Sequence, residues 1–111
     1  FLNTLTRQAH VFMRAPGQDE WQRLTVEPVA CSITALSARE REVMWARLST
    51  AVTHRGRCLP RPEVQAGRKL VVADEAGGAG ETFIIVAVRR VSHPAPAGHL
   101  VLDLAAVDAA E

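Results

Sequence analysis

Alternating apolar and polar side chains predict short β-strands along most of the chain. The strongest signal is Thr82–Val91, which has the sequence TFIIVAVRRV and is rich in β-branched residues. The stretch Trp21–Thr34 is also β-rich, but Pro28 interrupts it and predicts either two strands or one strand bent at a bulge. The remaining predicted strands are Gln8–Arg14, Thr50–Leu59, Lys69–Asp74 and His99–Leu104.

One segment has a helical pattern. Ser37 and Glu40 have the spacing of a capping box, in which each side chain binds a free backbone N–H at the start of a helix. The residues that follow have the sequence EREVMWARL and predict a short amphipathic helix. Its apolar residues, loosely on one side, are Val43, Met44, Ala46 and Leu48.

Five or six short strands with one short helix predict a mainly β protein, a small β-barrel. We expect one barrel domain over residues 1–104, with a lobe inserted at residues 37–53 and a flexible acidic C-terminal tail at residues 105–111. Glycine and proline mark the connections between strands. The predicted turns and loops are Pro16–Asp19, Pro60–Gly67, Glu75–Glu81 and Pro94–Gly98, and Gly56 is a candidate β-bulge.

The overall composition limits the class of protein. A chain of 111 residues supports one domain of ordinary size. Its 48% of apolar residues exclude that the chain as a whole is a disordered tail. The formal net charge of +1 argues against a protein that binds nucleic acid by bulk charge alone. The apolar runs are much shorter than the ~20 residues that span a bilayer, so we expect no membrane partner.

Charge is distributed unevenly along the chain. Residues 47–69 contain six cations against Glu63 alone, a net charge of +5, whereas residues 70–88 carry −3. The basic segment is a solvated face, a weak nucleic-acid contact, or a surface that meets the acidic tail of another copy. The candidate subunit or partner contacts are Arg55, Arg57, Arg61, Arg68, Lys69, Asp103 and Asp108.

The residues that usually carry catalysis or bind metals form no recognisable motif. Cys31 and Cys58 are expected to be buried thiols, because the expected compartment is reducing. Their spacing to His54 is only a weak match to a zinc site. The glycine-rich residues 76–80 are not followed by the Lys-Ser/Thr of a phosphate-binding loop. We therefore expect no enzyme, no cofactor and no metal site.

Aromatic residues bear on a nucleic-acid-binding role. A barrel that binds single strands is expected to interleave aromatic and basic residues, because the aromatic rings stack on bases. No aromatic residue lies between Arg55 and Lys69, and we expect Phe12 and Phe83 to fill the core or a subunit contact. This pattern disfavours a small cytoplasmic nucleic-acid-binding β-barrel, which stays as an alternative.

Six segments of the chain follow one another in an order that is informative as a whole. Each of their motifs is degenerate alone, but together they extend over nearly the whole chain. In this order the sequence resembles the head-closure proteins, also called stoppers or head–tail joining proteins, of long-tailed bacteriophages. The matching segments are Trp21–Leu24, Ile33–Glu40, Val52–Arg55, Ala66–Val72, Thr82–Val88 and Leu100–Leu104.

The resemblance implies a structural virion protein at the head–tail neck, present in the host cytoplasm during assembly. Such a subunit forms a homo-oligomeric ring of twelvefold or sixfold symmetry below the portal and its adaptor protein. It retains the packaged double-stranded DNA through non-specific contacts and provides the platform for the tail-completion protein. A tail-completion or terminator subunit of the same particle is an alternative with a similar composition.

The resemblance also implies that a lobe between two strands projects towards the channel and acts as a gate. By position, this lobe is Ser37–Thr53, and its arginines would contact phosphates without reading sequence. The alternative is that these arginines form ion pairs along a surface helix. The candidate channel or gate residues are Ser37, Arg39, Arg41, Trp45 and Arg47.

Overall fold

The computed structural model describes residues 7–48, 51–73, 79–91 and 98–107. Within these residues the chain forms seven strands and one helix. In chain order they are β1 (Arg7–Met13), β2 (Gln22–Arg23), β3 (Val29–Ala35), α1 (Ala38–Leu48), β4 (His54–Cys58), β5 (Lys69–Ala73), β6 (Ala79–Val91) and β7 (His99–Ala106).

Six of the strands close into an antiparallel barrel. Their order around the barrel is β1, β3, β4, β7, β6 and β5, and β1 pairs with β5 to complete the circuit. The short strand β2 is a seventh, paired with the end of β1. The prediction of a mainly β protein built as a small barrel with one short helix is confirmed.

The barrel interior is filled by the inward-facing side chains of every long strand. In β6, Phe83 and Ile85 are fully buried, and Leu70 and Val72 of β5 are equally inaccessible. This follows from the two-residue repeat of a strand, which turns alternate side chains to the same face. The core residues are Ala9, Val11, Val29, Cys31, Cys58, Val64, Leu70, Val72, Phe83, Ile85, Leu100, Leu102 and Leu104.

The structure resolves the alternative at Pro28 in favour of two strands. β2 and β3 both pair with β1, and the chain leaves the barrel between them, where Val26 is 89% exposed. Beneath this excursion, the buried hydroxyl oxygen of Thr25 accepts a hydrogen bond from the Val11 backbone N–H at 3.2 Å. A side chain thus replaces the backbone acceptor that the interrupted strand fails to supply.

The prediction of a bulge at Gly56 is wrong. Gly56 lies in regular register between Ile33 of β3 and Leu102 of β7. A Cβ at this position would lie 3.1 Å from Leu104 Cδ1 and 3.2 Å from Ile33 Cδ1. The glycine therefore gives packing space to two core side chains in a narrow barrel.

Several predicted boundaries shift. The predicted loop Glu75–Glu81 is shorter at its end, because β6 begins at Ala79 and continues the pairing with β5 across a register shift after Val72. β7 extends to Ala106, beyond the predicted start of the tail, and β4 begins at His54 rather than at Thr50. The predictions for Thr50, Asp74, residues 75–78, residues 94–97 and residues 108–111 lie outside the described residues.

The two cysteines face each other across the β3–β4 pair. Cys31 and Cys58 are direct register partners and both are free thiols inside the barrel, as predicted from the sequence. Burial raises the pKa of the Cys31 thiol to about 11. Burial, with a smaller contribution from neighbouring Cys31, raises that of Cys58 to about 12. Both thiols are therefore protonated and unreactive at neutral pH.

We expect Ile85→Ala to lower the free energy of unfolding by about 2–5 kcal/mol, because it opens a cavity beside Phe83 in the closed interior. The charged variant Ile85→Asp should not fold, because it buries an unpaired carboxylate. Urea unfolding followed by circular dichroism measures both effects. Val26→Ala is the control and should unfold within about 0.5 kcal/mol of the parent. A native-like midpoint for Ile85→Asp would contradict the assignment of β6.

Alkaline pH provides a second test of the core. The unfolded thiols ionise near 9.0, whereas the folded thiols stay protonated to about 11 and 12. The contribution of the thiols to stability should therefore be constant below about pH 8 and should decline as the pH rises through 9 towards 11. The chain has no tyrosine and one lysine, Lys69, so few other groups titrate there.

The measurement is the urea midpoint between about pH 8 and about pH 10.5. Its decline with pH should be much smaller in a Cys31→Ala/Cys58→Ala variant, whose unfolded state has no thiol to ionise. An equal decline in the parent and the variant would show that the thiols are not its cause.

Candidate functional site

α1 begins with the predicted capping box. The Ser37 hydroxyl oxygen accepts a hydrogen bond from the Glu40 backbone N–H, and Glu40 Oε1 accepts one from the Ser37 backbone N–H, each at 3.2 Å. The Arg41 N–H donates to the Ser37 carbonyl at 3.0 Å and starts the helical pattern. Two donors that a helix start leaves unsatisfied are thus paired within the first turn.

The Glu40 carboxylate connects α1 to the barrel. Its Oε2 lies 3.7 Å from Arg55 Nη1 on β4. The hydrogen bonds from Ser37, and to a smaller degree the charge of Arg55, lower the pKa of Glu40. Glu40 is therefore ionised at neutral pH and leaves Arg55 only partly neutralised.

Two adjoining cavities lie between α1 and the outer surface of β3 and β4. They measure about 270 Å³ and about 230 Å³, and Glu40 and Arg55 line both. Of the described residues that line them, four are arginines and one is a carboxylate, so the cavities are basic. We call them the α1 groove, defined by Arg39, Arg47, Arg55, Arg57 and Glu40 at its charged positions and Val43 and Met44 at its apolar ones.

Arg55 has capacity to bind an anion in this groove. Its Nε is inaccessible to solvent and makes no hydrogen bond within the part of the chain that the structure describes. Among the described residues its ion-pair partner is Glu40, whose Oε2 lies 3.7 Å from Nη1, farther than a hydrogen bond. A guanidinium presents five donors, so most of those on Arg55 are not used by the carboxylate.

α1 makes little contact with the barrel core. Met44 is its one buried residue, whereas Val43 is 52% and Trp45 is 58% exposed. The predicted amphipathic pattern is therefore only partly realised, since Val43 and Ala46 do not face the core. The helix presents an apolar and basic surface to solvent, of the kind that binds another molecule.

Asp103 does not lie at the surface as expected for a subunit contact. It is 3% exposed on the outer side of β7, where the register places Arg55 and Ala87 beside it. Its Oδ1 lies 3.8 Å from Nη2 of Arg89. Asp103 therefore offsets the charge of Arg89 within its own chain. Asp108 lies outside the described residues.

The basic segment 47–69 does not form one surface. Arg55 and Arg57 border the α1 groove, whereas Arg61 binds Glu63 at 2.9 Å and lines a separate cavity of about 400 Å³ with Arg90 and Leu100. Arg68 Nη1 donates to the Glu63 carbonyl at 2.8 Å, near Arg61. Residues that are adjacent in sequence are thus separated by the barrel.

Lys69 belongs to a third surface, which the sequence did not reveal. The β1–β5 pairing places it opposite Phe12, and its Nζ lies 5.2 Å from the centroid of that ring. The Trp21 ring lies 4.9 Å from Lys69 Nζ and 4.9 Å from Arg14 Cζ. Arg23 of β2 is the register partner of Phe12 in the β1–β2 pairing. We call Phe12, Arg14, Trp21, Arg23 and Lys69 the aromatic–basic patch.

Among the described residues no group of three or more His, Cys, Asp or Glu side chains could hold a metal ion. The spacing of His54 to the cysteines is a weak match to a zinc site. Its ring packs edge-on against Phe83, with 4.9 Å between the ring centroids, and its Nε2 lies 4.0 Å from Glu81 Oε2. In the same part of the chain, no helix is long and apolar enough to cross a membrane.

No model of a known protein family matches the chain, and a search of curated proteins finds no significant match.

We expect Ser37→Ala to destabilise α1 by about 1 kcal/mol, because it removes the hydroxyl that pairs with the Glu40 N–H. Ser37→Asp should retain the helix, since a carboxylate also accepts this hydrogen bond. Amide hydrogen exchange measures the change, with faster exchange expected in α1 and no change in β6. Unchanged protection of α1 in Ser37→Ala would contradict the role of the capping box.

Proposed function

We propose that this protein is a head-closure, or stopper, subunit at the neck of a tailed-phage particle, where a ring of copies retains packaged DNA and supports tail attachment. The observation that carries the proposal is the lobe of residues 37–53. It is inserted between two adjacent barrel strands at the position that the resemblance assigns to the gate, and its helix exposes arginines and apolar residues.

The connection of the lobe to the barrel supports a gating role. The Leu36 N–H donates to the Thr53 carbonyl at 3.0 Å, so a hydrogen bond joins the two ends of the lobe. The Thr53 N–H in turn donates to the carbonyl oxygen of Leu104 on β7 at 2.9 Å. α1 can therefore move relative to a fixed base without breaking the pairing of β3 with β4.

The α1 groove supports contact with DNA. Packaged DNA presents phosphates, which need charge and hydrogen-bond donors but no reading of bases. Arg39, Arg47 and Arg57 form no ion pair with another described residue, and Arg55 has unused donors. Arginines bind phosphate well because their planar donors match two of its oxygens.

Exposed apolar residues on α1 support contact with other proteins of the neck. Trp45 and Val43 are the kind of side chains that anchor protein interfaces, and arginine commonly surrounds them. In a ring of twelvefold or sixfold symmetry, each copy would use a different surface for each neighbour. The portal-bound adaptor above and the tail-completion protein below are the further partners that the proposal requires.

The test replaces Ala38–Arg47 by a short Gly-Ser linker in the gene for this subunit, within the genome that encodes the particle. The barrel should fold, because α1 buries only Met44, and its unfolding midpoint should stay close to that of the parent. Particles should lose DNA or fail to join tails, as counted by electron microscopy and by nuclease-protected DNA. Arg39→Gln/Arg41→Gln/Arg47→Gln tests the charge alone and should reduce DNA retention.

The matched control is Gln65→Ala, which changes an exposed residue of the loop before β5 and should leave particles normal. DNA-filled, tailed and infectious particles from the linker variant would contradict the gate. A tagged subunit located at the tail end of the neck, beside the tail tube, would favour a tail terminator instead. Absence of the subunit from purified particles would overturn both assignments.

A further inference from the structure

The aromatic–basic patch combines three cations and two aromatic rings on one wall of the barrel. Phe12 is flanked in register by Arg23 of β2 and Lys69 of β5, so these side chains project from the same outer face. The turn from Ala15 to Gln18 closes with a 3.0 Å hydrogen bond and has Gly17 at φ 82°. It returns the chain so that Trp21 lies over Arg14.

The positive charge of this patch is not neutralised within the part of the chain that the structure describes. No ion pair there involves Arg14, Arg23 or Lys69; the described pairs involve other cations. The aromatic rings hold the cations through their quadrupoles but carry no net charge. Asp19 and Glu20 are exposed and pair with none of the three. The charge is therefore free to attract an external anion.

The arrangement of the rings favours a particular anion. Lys69 Nζ lies between Phe12 and Trp21, at 5.2 Å and 4.9 Å from their centroids. Both rings are partly exposed. A single-stranded nucleic acid alternates flat bases with phosphates, and it is bound by aromatic platforms beside cations. A duplex keeps its bases stacked within the helix and would leave the two rings without a role.

The patch is separate from the α1 groove. Around the six-stranded barrel, β1 and β5 are opposite β7 and β4, respectively. A nucleic acid on the patch would therefore lie on the wall facing away from Arg55 and Arg57. This inference does not rest on the proposed head-closure function, which concerns α1 and its groove.

We propose that the aromatic–basic patch is a binding site for single-stranded nucleic acid. On binding, Lys69 and Arg14 turn from the faces of Phe12 and Trp21 to the phosphates, beside Arg23, and bases stack on the ring faces that they leave. The contacts are to base faces and to the backbone, so the site accepts any sequence. Binding weakens with salt, because each neutralised phosphate releases counterions.

The probe is a short fluorescent oligothymidylate, with binding to the full chain followed by anisotropy over a series of salt concentrations. Trp21→Leu should weaken binding about 5- to 150-fold, the effect of losing one stacking platform. Lys69→Gln should make the negative slope of log K against log salt shallower by about 0.7, the effect of one lost phosphate contact. Trp21→Leu removes a large side chain next to the turn, so Lys69→Gln is the second, structurally milder variant, and circular dichroism checks that both fold.

A matched control removes a cation outside both the patch and the α1 groove: Arg61→Gln, at an arginine that already pairs with Glu63, should leave oligothymidylate affinity within about twofold. In a Trp45→Phe background, Trp21 is the remaining tryptophan, and its fluorescence should be quenched on binding. The proposal is overturned by no binding at low salt, or by an equal loss of affinity in Arg61→Gln and Lys69→Gln. Equal affinity for a duplex, or equal competition by polyglutamate, would likewise overturn it.

Discussion

The pairing of β1 with β5 is the constraint on which the other features depend. It joins residues about 60 positions apart, Ala9 with Val72 through Phe12 with Lys69, and converts an open sheet into a closed barrel. Closure encloses Phe83 and Ile85 on all sides and gives the core its inaccessibility. The same pairing places Lys69 between two aromatic rings, so one set of backbone hydrogen bonds determines both the packing and the chemistry of that wall.

The barrel separates charge that is contiguous in the sequence. Arg55 and Arg57 lie beside α1, Arg61 binds Glu63 at the other end, and Lys69 faces Phe12. A net charge of +1 therefore conceals two basic surfaces on opposite walls. The proposed contacts with double-stranded and single-stranded nucleic acid use these two surfaces separately, and each can be removed without the other.

Local features of this chain could be predicted and long-range ones could not. The capping box of Ser37 and Glu40 depends on neighbours three residues apart, and the strands follow from alternation, so both were readable in the sequence. The space that requires Gly56 comes from Leu104 and Ile33, which are distant in sequence. Asp103 occupies an outward position but is covered, and Lys69 meets its aromatic neighbours only through barrel closure.

The hydrogen bond between Leu36 and Thr53 has a consequence for how the protein can diverge. It joins the ends of the lobe beside a strand pair that does not need α1 for its core. Each doubling of a flexible insertion costs only about 0.6 kcal/mol of closure entropy. A change in the length or composition of the lobe therefore costs the barrel little stability.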